Sequence, residues 1–281
     1  MKFLLSFCTL LLCHFGLHAE EVTFLKMNAT PYGQGFFSVF TSVMGLLDKY
    51  DKGHYSGFSL NFGKGGLYYD ENWGPNWWGY YFMPLQRGQG ASTSPCPGHL
   101  HLQLAMHCIN HLSKERCHTL IKKYIRLRPH IEDKVNQFVN KHFQHYFVVG
   151  VHYRGTDKMN NEAPVLEYEM IINSINHFLY NNREKEILIF LATDEEDFME
   201  EMLQRFPGQV VTISTIRSKD GLPIHFGKKN KYKHGEEALL DCLLLSRCDH
   251  LIRTSSNLSL CSTFFNPKLT VELLNPGRID R

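Results

Sequence analysis

No charge of one sign dominates the 281 residues: 30 Lys and Arg face 28 Asp and Glu, a net +2 that offers no basic field for nucleic acid. Beyond the N-terminus no apolar run approaches the roughly 18 residues that a membrane helix needs, so no stable span is expected in the mature chain. Also missing are a Gly-x-x-x-x-Gly-Lys loop and a Gly-x-Gly-x-x-Gly turn after a strand, which removes P-loop enzymes and dinucleotide dehydrogenases. His107 and His111 have the spacing of a metal-binding helix, but Cys108 stands where the metalloprotease pattern needs Glu, and no metal is expected. Tryptophan is scarce at 3 residues, while 20 Phe and 13 Tyr supply ample ring surface for a core or for stacking on sugars and bases.

Lys2, an apolar run from Phe3 to Leu17, and Ala19 before Glu20 and Glu21 follow the order of a secretory signal, so residues 1–19 are read as a leader. The expectation is export, to the secretory lumen in a eukaryote or to the periplasm or medium in a bacterium. Losing Cys8 and Cys13 leaves Cys96, Cys108, Cys117, Cys242, Cys248 and Cys261, an even set that permits disulfides without choosing among their pairings. Cys242 and Cys261 fall in apolar runs and read as buried thiols.

Residues 20–145 form the first half. A strand over Val22–Met27, a turn holding Gly33, Gln34 and Gly35, and a helix over Phe36–Tyr50 would let backbone approach a ligand at the turn. A second strand is read over Tyr55–Phe62. Trp73, Trp77, Trp78, Tyr80 and Tyr81 then make either a stacking wall for a sugar or a satellite core. His99, His101, His107, His111 and His118 read as polar residues of a helical region, and Pro129 opens a helix to Phe143.

Residues 146–281 alternate strand and helix. Strands are expected over Phe147–His152, Glu186–Thr193, Gln209–Ile213, His250–Thr254 and Leu269–Leu274, and helices over Leu166–Asn181, Glu195–Phe206 and Glu236–Cys248. Such alternation specifies a parallel, Rossmann-like sheet. Polar residues cluster at the strands' carboxyl ends, where ligands of open α/β sheets bind: His152, Arg154, Asp157 and Lys158 after the first, Asp194 after the second, Thr254, Ser255 and Ser256 after the fourth. An Arg, a Lys and a helix start at one rim suit a phosphate or diphosphate.

His152-Tyr-Arg-Gly-Thr-Asp-Lys158 with Glu162 resembles the first motif of the α1,6-fucosyltransferases and their rhizobial nodulation relatives, in the α1,2/α1,6/protein-O-fucosyltransferase superfamily. Phe190-Leu-Ala-Thr-Asp194, Ala238-Leu-Leu-Asp241 and Thr254-Ser-Ser-Asn257 resemble its later motifs, in order. The resemblance implies a GT-B-like α/β fold, with a Rossmann-like donor-binding half over 146–281 and a smaller acceptor-side α/β half over 20–145. It implies an inverting, metal-independent transfer from a GDP-sugar, GDP-fucose above all, to a glycan or glycoprotein hydroxyl, with no cofactor besides the donor. By the same resemblance Arg154 binds the β-phosphate, His152 and Asp241 the nucleoside, and Ser255 or Ser256 the diphosphate; Asp157 and Asp194 complete the donor set. Lys158 and Glu162 match the catalytic lysine and base. The family commonly has two adjacent arginines where this chain has Arg154 and Gly155, so one donor contact is expected to be missing. The alternative is an exported sugar- or nucleotide-binding module that has lost transfer. A metal-dependent hydrolase lacks ligand spacing.

Overall fold

The computed structural model describes residues 24–28, 34–54, 57–85, 98–100, 112–155, 163–164, 166–215, 217–218 and 230–280. Two parallel sheets organise them. In the first, β1 (Phe24–Asn28) lies between β2 (Gly57–Asn61) and β3 (Gly98–Leu100). The helices of this first stretch of chain are α1 (Phe36–Asp51), the single turn α2 (Trp78–Tyr81), α3 (Lys114–Tyr124) and α4 (Pro129–His142). Ser113 caps α3 by accepting from the Arg116 N–H, and Pro129 opens α4 where its missing N–H costs nothing.

The second sheet has five strands: β4 (Phe147–Tyr153), β5 (Ile187–Thr193), β6 (Val210–Val211), β7 (His250–Arg253) and β8 (Thr270–Leu273). Their order is β6-β5-β4-β7-β8, every pair parallel, so the strand singled out by sequence is the central one. Helices α5 (Tyr168–Asn181) and α6 (Glu196–Arg205) follow β4 and β5, and α7 (Lys231–Leu245) and α8 (Asn257–Phe265) flank β7. Alternation along β4 divides the core. Val149 and Val151 pack with Ile171, Ile175, Phe198 and Met202 on one face, while Val148 joins Phe190, Leu239 and Leu244 on the other.

That second cluster continues without interruption into α1, α3 and the Trp77–Phe82 segment. Trp77, Trp78, Tyr80 and Tyr81 are buried in it, so of the aromatic stretch only Trp73 is exposed: the stacking wall is core instead. One expectation is corrected, and the reading of Cys242 and Cys261 as buried thiols is met. Helix α7 begins at Lys231, five residues before Glu236, because the Asn230 side chain caps the Lys233 N–H and the polar first turn hid the start from apolar periodicity. Cys117, Cys242, Cys248 and Cys261 are all free and buried, and burial pushes the Cys117 thiol up to about 12. Cys96 and Cys108 lie outside the described residues, as do His101, His107 and His111. Among the described residues no helix is long and apolar enough to cross a membrane.

The first sheet's helices and the second sheet's meet at Gly235. The Tyr81 hydroxyl donates 2.7 Å to the Tyr232 carbonyl, and a Cβ on Gly235 would come within 2.7 Å of the Tyr81 ring carbon Cζ. Tyr81 is fully buried and has nowhere to retreat. Gly235→Ala therefore destabilises the protein by about 1–3 kcal/mol through overpacking, against a helix-propensity gain of about 1 kcal/mol. Denaturant titration reads the balance, and a more stable variant refutes the packing argument.

Candidate functional site

The polar cluster predicted after β4 is assembled by cross-strand pairing. β4 register sets His152 beside Ala192 of β5 and Arg253 of β7, so three strand ends finish at one level. Beyond them the chain is laced by hydrogen bonds. The Thr254 N–H donates to the His152 carbonyl at 3.0 Å, and the Arg154 N–H donates to the Thr254 hydroxyl at 3.1 Å. The Gly155 N–H reaches an Asp194 carboxylate oxygen at 3.3 Å. His152 is buried at the foot of this rim and Arg154 is half-buried.

The serine pair divides its work. Ser256 is the N-cap of α8, its hydroxyl accepting from the Leu258 N–H at 3.3 Å. Ser255 is placed through its backbone, its N–H donating 2.7 Å to the Asn275 amide oxygen. The Asn275 amide nitrogen in turn donates 2.7 Å to the carbonyl of Pro164, so one side chain bridges the serine pair and the end of the loop after β4. Below it Arg253 forms an almost fully buried ion pair with Asp280 at 2.6 Å. Burial acts to raise the Asp280 carboxyl, but the Ser255 hydroxyl, the Gly277 N–H and Arg253 together carry it below its ordinary value.

Asp241 lies on α7 facing the same rim. One carboxylate oxygen is shielded from solvent without a hydrogen-bond partner among the described residues. Burial pushes its pKa up to about 8; the Arg217 guanidinium works against this while Glu237 and Asp194 add to it. An orphaned buried carboxyl is costly and marks a place where a ligand donor fits. Arg217, which no sequence motif flagged, is held by the Thr212 hydroxyl at 2.6 Å and the Ile213 carbonyl at 3.1 Å. A lone arginine after the short strand β6 is the only signal the sequence gives of it.

Gly155 has a structural reason. A Cβ there would run into the Glu195 carboxylate, which is packed over the glycine and receives a 2.7 Å hydrogen bond from the Tyr168 hydroxyl. Burial raises the Glu195 pKa, the tyrosine bond lowers it, and the Asp194 and Asp197 charges raise it further, for a net rise. The space beside Gly155 is thus filled by the carboxylate of the α6 N-cap residue, which sequence reading passed over beside Asp194. Asp157, Lys158, Glu162 and Gly33 lie outside the described residues. Gln34 and Gly35 precede α1, and a Cβ on Gly35 would meet nothing within 4 Å, so packing does not demand glycine there.

Two parallel α/β sheets, the second carrying an anion-suited rim at its strand ends, define a GT-B-type fold, the architecture of the fucosyltransferases it superposes on. The chain belongs to the nodulation protein Z family, whose profile it matches over residues 100–279, more than half its length. It is 26% identical over 204 residues to nodulation protein Z of Bradyrhizobium diazoefficiens, covering 69% of this chain and 52% of that protein. The chain thus spans about half the length of that relative. The crystal structure of fucosyltransferase NodZ from Bradyrhizobium matches with TM-score 0.60 at 14% identity, covering 88% of this chain and 93% of that one. NodZ α-1,6-fucosyltransferase soaked with GDP-fucose matches with TM-score 0.58 at 16% identity, over 87% and 93% of the two chains. At such identities these likenesses speak for the fold.

Gly155→Ala displaces the Glu195 carboxylate and breaks its bond to Tyr168, at a cost of about 1 kcal/mol in stability. Tyr168→Phe costs a similar amount, and the double variant costs less than the sum, because both changes remove one interaction. Strict additivity in thermal unfolding would show that Glu195 and Gly155 are independent.

Proposed function

We propose that the protein is an inverting fucosyltransferase that moves fucose from GDP-fucose to a hydroxyl of a glycan or glycoprotein. The observation that carries this is the rim itself: Arg154, the serine-capped start of α8 and the orphaned Asp241 carboxyl converge on the strand ends of a nodulation protein Z family member. In this reading the 146–281 half takes the donor and the 20–145 half faces the acceptor.

As the diphosphate leaves, it gains negative charge, and Arg154, Lys158 and the free N–H groups at the start of α8 oppose that charge. Glu162 removes the proton from the acceptor hydroxyl while that oxygen attacks the anomeric carbon. His152 and Asp241 hold the nucleoside, with Asp157 and Asp194 in the donor set. Lys158 and Glu162 have a task here; a module that only bound nucleotide would leave them without one. No metal is required in this scheme, since cationic side chains and the helix terminus supply the positive charge.

Calorimetric titration with GDP and UDP tests the donor site. Selective binding of GDP, lost in Arg154→Ala, is expected, and the same variant should lose about 3 kcal/mol of transition-state stabilisation, on the order of a hundredfold in rate. The pH dependence follows from Asp241. Its pKa of about 8 in the free protein keeps the carboxyl protonated at neutral pH, and guanine N–H donors require the ionised form. Binding should therefore release close to one proton per GDP well below pH 8, about half a proton near pH 8 and none well above it, as read from heats in buffers of different ionisation enthalpy. Equal binding of UDP, or no proton release in the unaltered protein, contradicts the assignment.

The leader over residues 1–19 supports export, to a lumen supplied with nucleotide sugars in a eukaryote or to the periplasm or medium in a bacterium. The mature chain is expected to begin at Glu20. N-terminal sequencing of secreted protein that finds Met1 intact would reject it.

A further inference from the structure

Trp77 and Trp78 are core, but Trp73 is 53% exposed, and it is not loose. Its indole lies flat on the Tyr232 ring, centroids 3.7 Å apart and planes 2° from parallel. Both partners are fixed. Asp70 accepts from the Asn72 N–H at 3.1 Å, and the Tyr80 hydroxyl, 2.6 Å from the carbonyls of Asp70 and Gly74, pins the turn that carries Trp73. Tyr232 donates 2.8 Å to Glu236, its hydroxyl lies 3.0 Å from His130 Nε2, and its carbonyl accepts from Tyr81. One indole face is covered and the other is held open to solvent on a rigid mount, flanked by Asp70, Glu71 and Asn72. Folding gains little from leaving that much aromatic surface wet, whereas a ligand with a flat apolar face gains all of it.

The mount stands on the side of the candidate site. α7 connects β6 to β7, which both run parallel to β4, so its first turn projects at the strands' carboxyl ends. Tyr232 is in that turn, and Asp241 lies about 13 Å further along the helix at 1.5 Å per residue. We propose that Trp73 is the stacking platform for a pyranose ring of the acceptor saccharide, a subsite removed from the transfer point. The inference rests on the transferase reading. The ligand class follows from the surface: a pyranose with equatorial substituents presents a face of axial C–H groups to the indole, and the polar residues Asp70, Glu71 and Asn72 precede Trp73 in the same turn.

The test uses the full chain with GDP bound, titrated with tetrasaccharides of β-linked glucose, β-linked N-acetylglucosamine and β-linked mannose. At least one should bind and shield Trp73, the exposed tryptophan, from iodide quenching. Trp73→Ala should weaken that binding about tenfold or more and Trp73→Phe less than about threefold, since an aromatic face suffices. GDP binding should be the same in all three proteins. GDP binding with no saccharide bound, or saccharide binding indifferent to Trp73→Ala, overturns the inference while the transferase reading stands. Self-association that Trp73→Ala abolishes, with no saccharide effect, assigns the platform to a second copy and also overturns it. Failure of GDP to bind the unaltered protein would instead remove the reading on which the platform depends.

Discussion

Everything at the rim depends on the parallel pairing of β4 between β5 and β7. Seven residues of β4 pair with seven of β5 and four with β7, which fixes where each strand stops. A slip of two residues, the smallest that keeps the apolar face inward, would carry Arg154 away from Thr254 and Gly155 away from Asp194. The buried valines of β4 therefore do more than fill a core. They set the register that brings a cation, a helix start and a carboxyl to one level.

The central strand, the parallel sheet and most of its helices were legible because a strand buried on both faces writes itself as an unbroken apolar run. His152, Arg154, Asp194, Ser255 and Ser256 were expected at strand ends, where the structure puts them, while Asp241, on α7, was named only through the resemblance. What was not legible is contact between distant residues. Gly155 read as a missing contact, yet it is the space that Glu195 occupies, a fact that depends on where β5 ends. Arg217 carries no motif, and its proximity to Asp241 comes from the turn of the chain after β6. The aromatic stretch around Trp77 left two readings open, because rings suited to stacking on sugar are equally suited to packing on Phe36 and Phe62, and composition does not separate the two.

Support for the rim comes from far along the chain. Asn275 holds Ser255 and Pro164 at once, and Asp280 neutralises Arg253 at the base of the serine pair. A buried ion pair is weak evidence for net stability, but removing one partner strands the other charge. The segment 275–280 is thus a brace, and it acts on both the serine pair and Pro164.

The same bridge has a consequence for how the molecule is made. Arg154 meets Thr254 across 100 residues of sequence, and Asn275 meets Pro164 across 111. Contacts of that span close late, since loop-closure entropy must be met before they form. While the chain emerges from the ribosome, β4 has its apolar faces but not β7, and the rim has no shape. The rim therefore takes shape only once residues 254 and 275 have joined β4, and a chain that stops short of them lacks the contacts that hold Arg154 and Ser255.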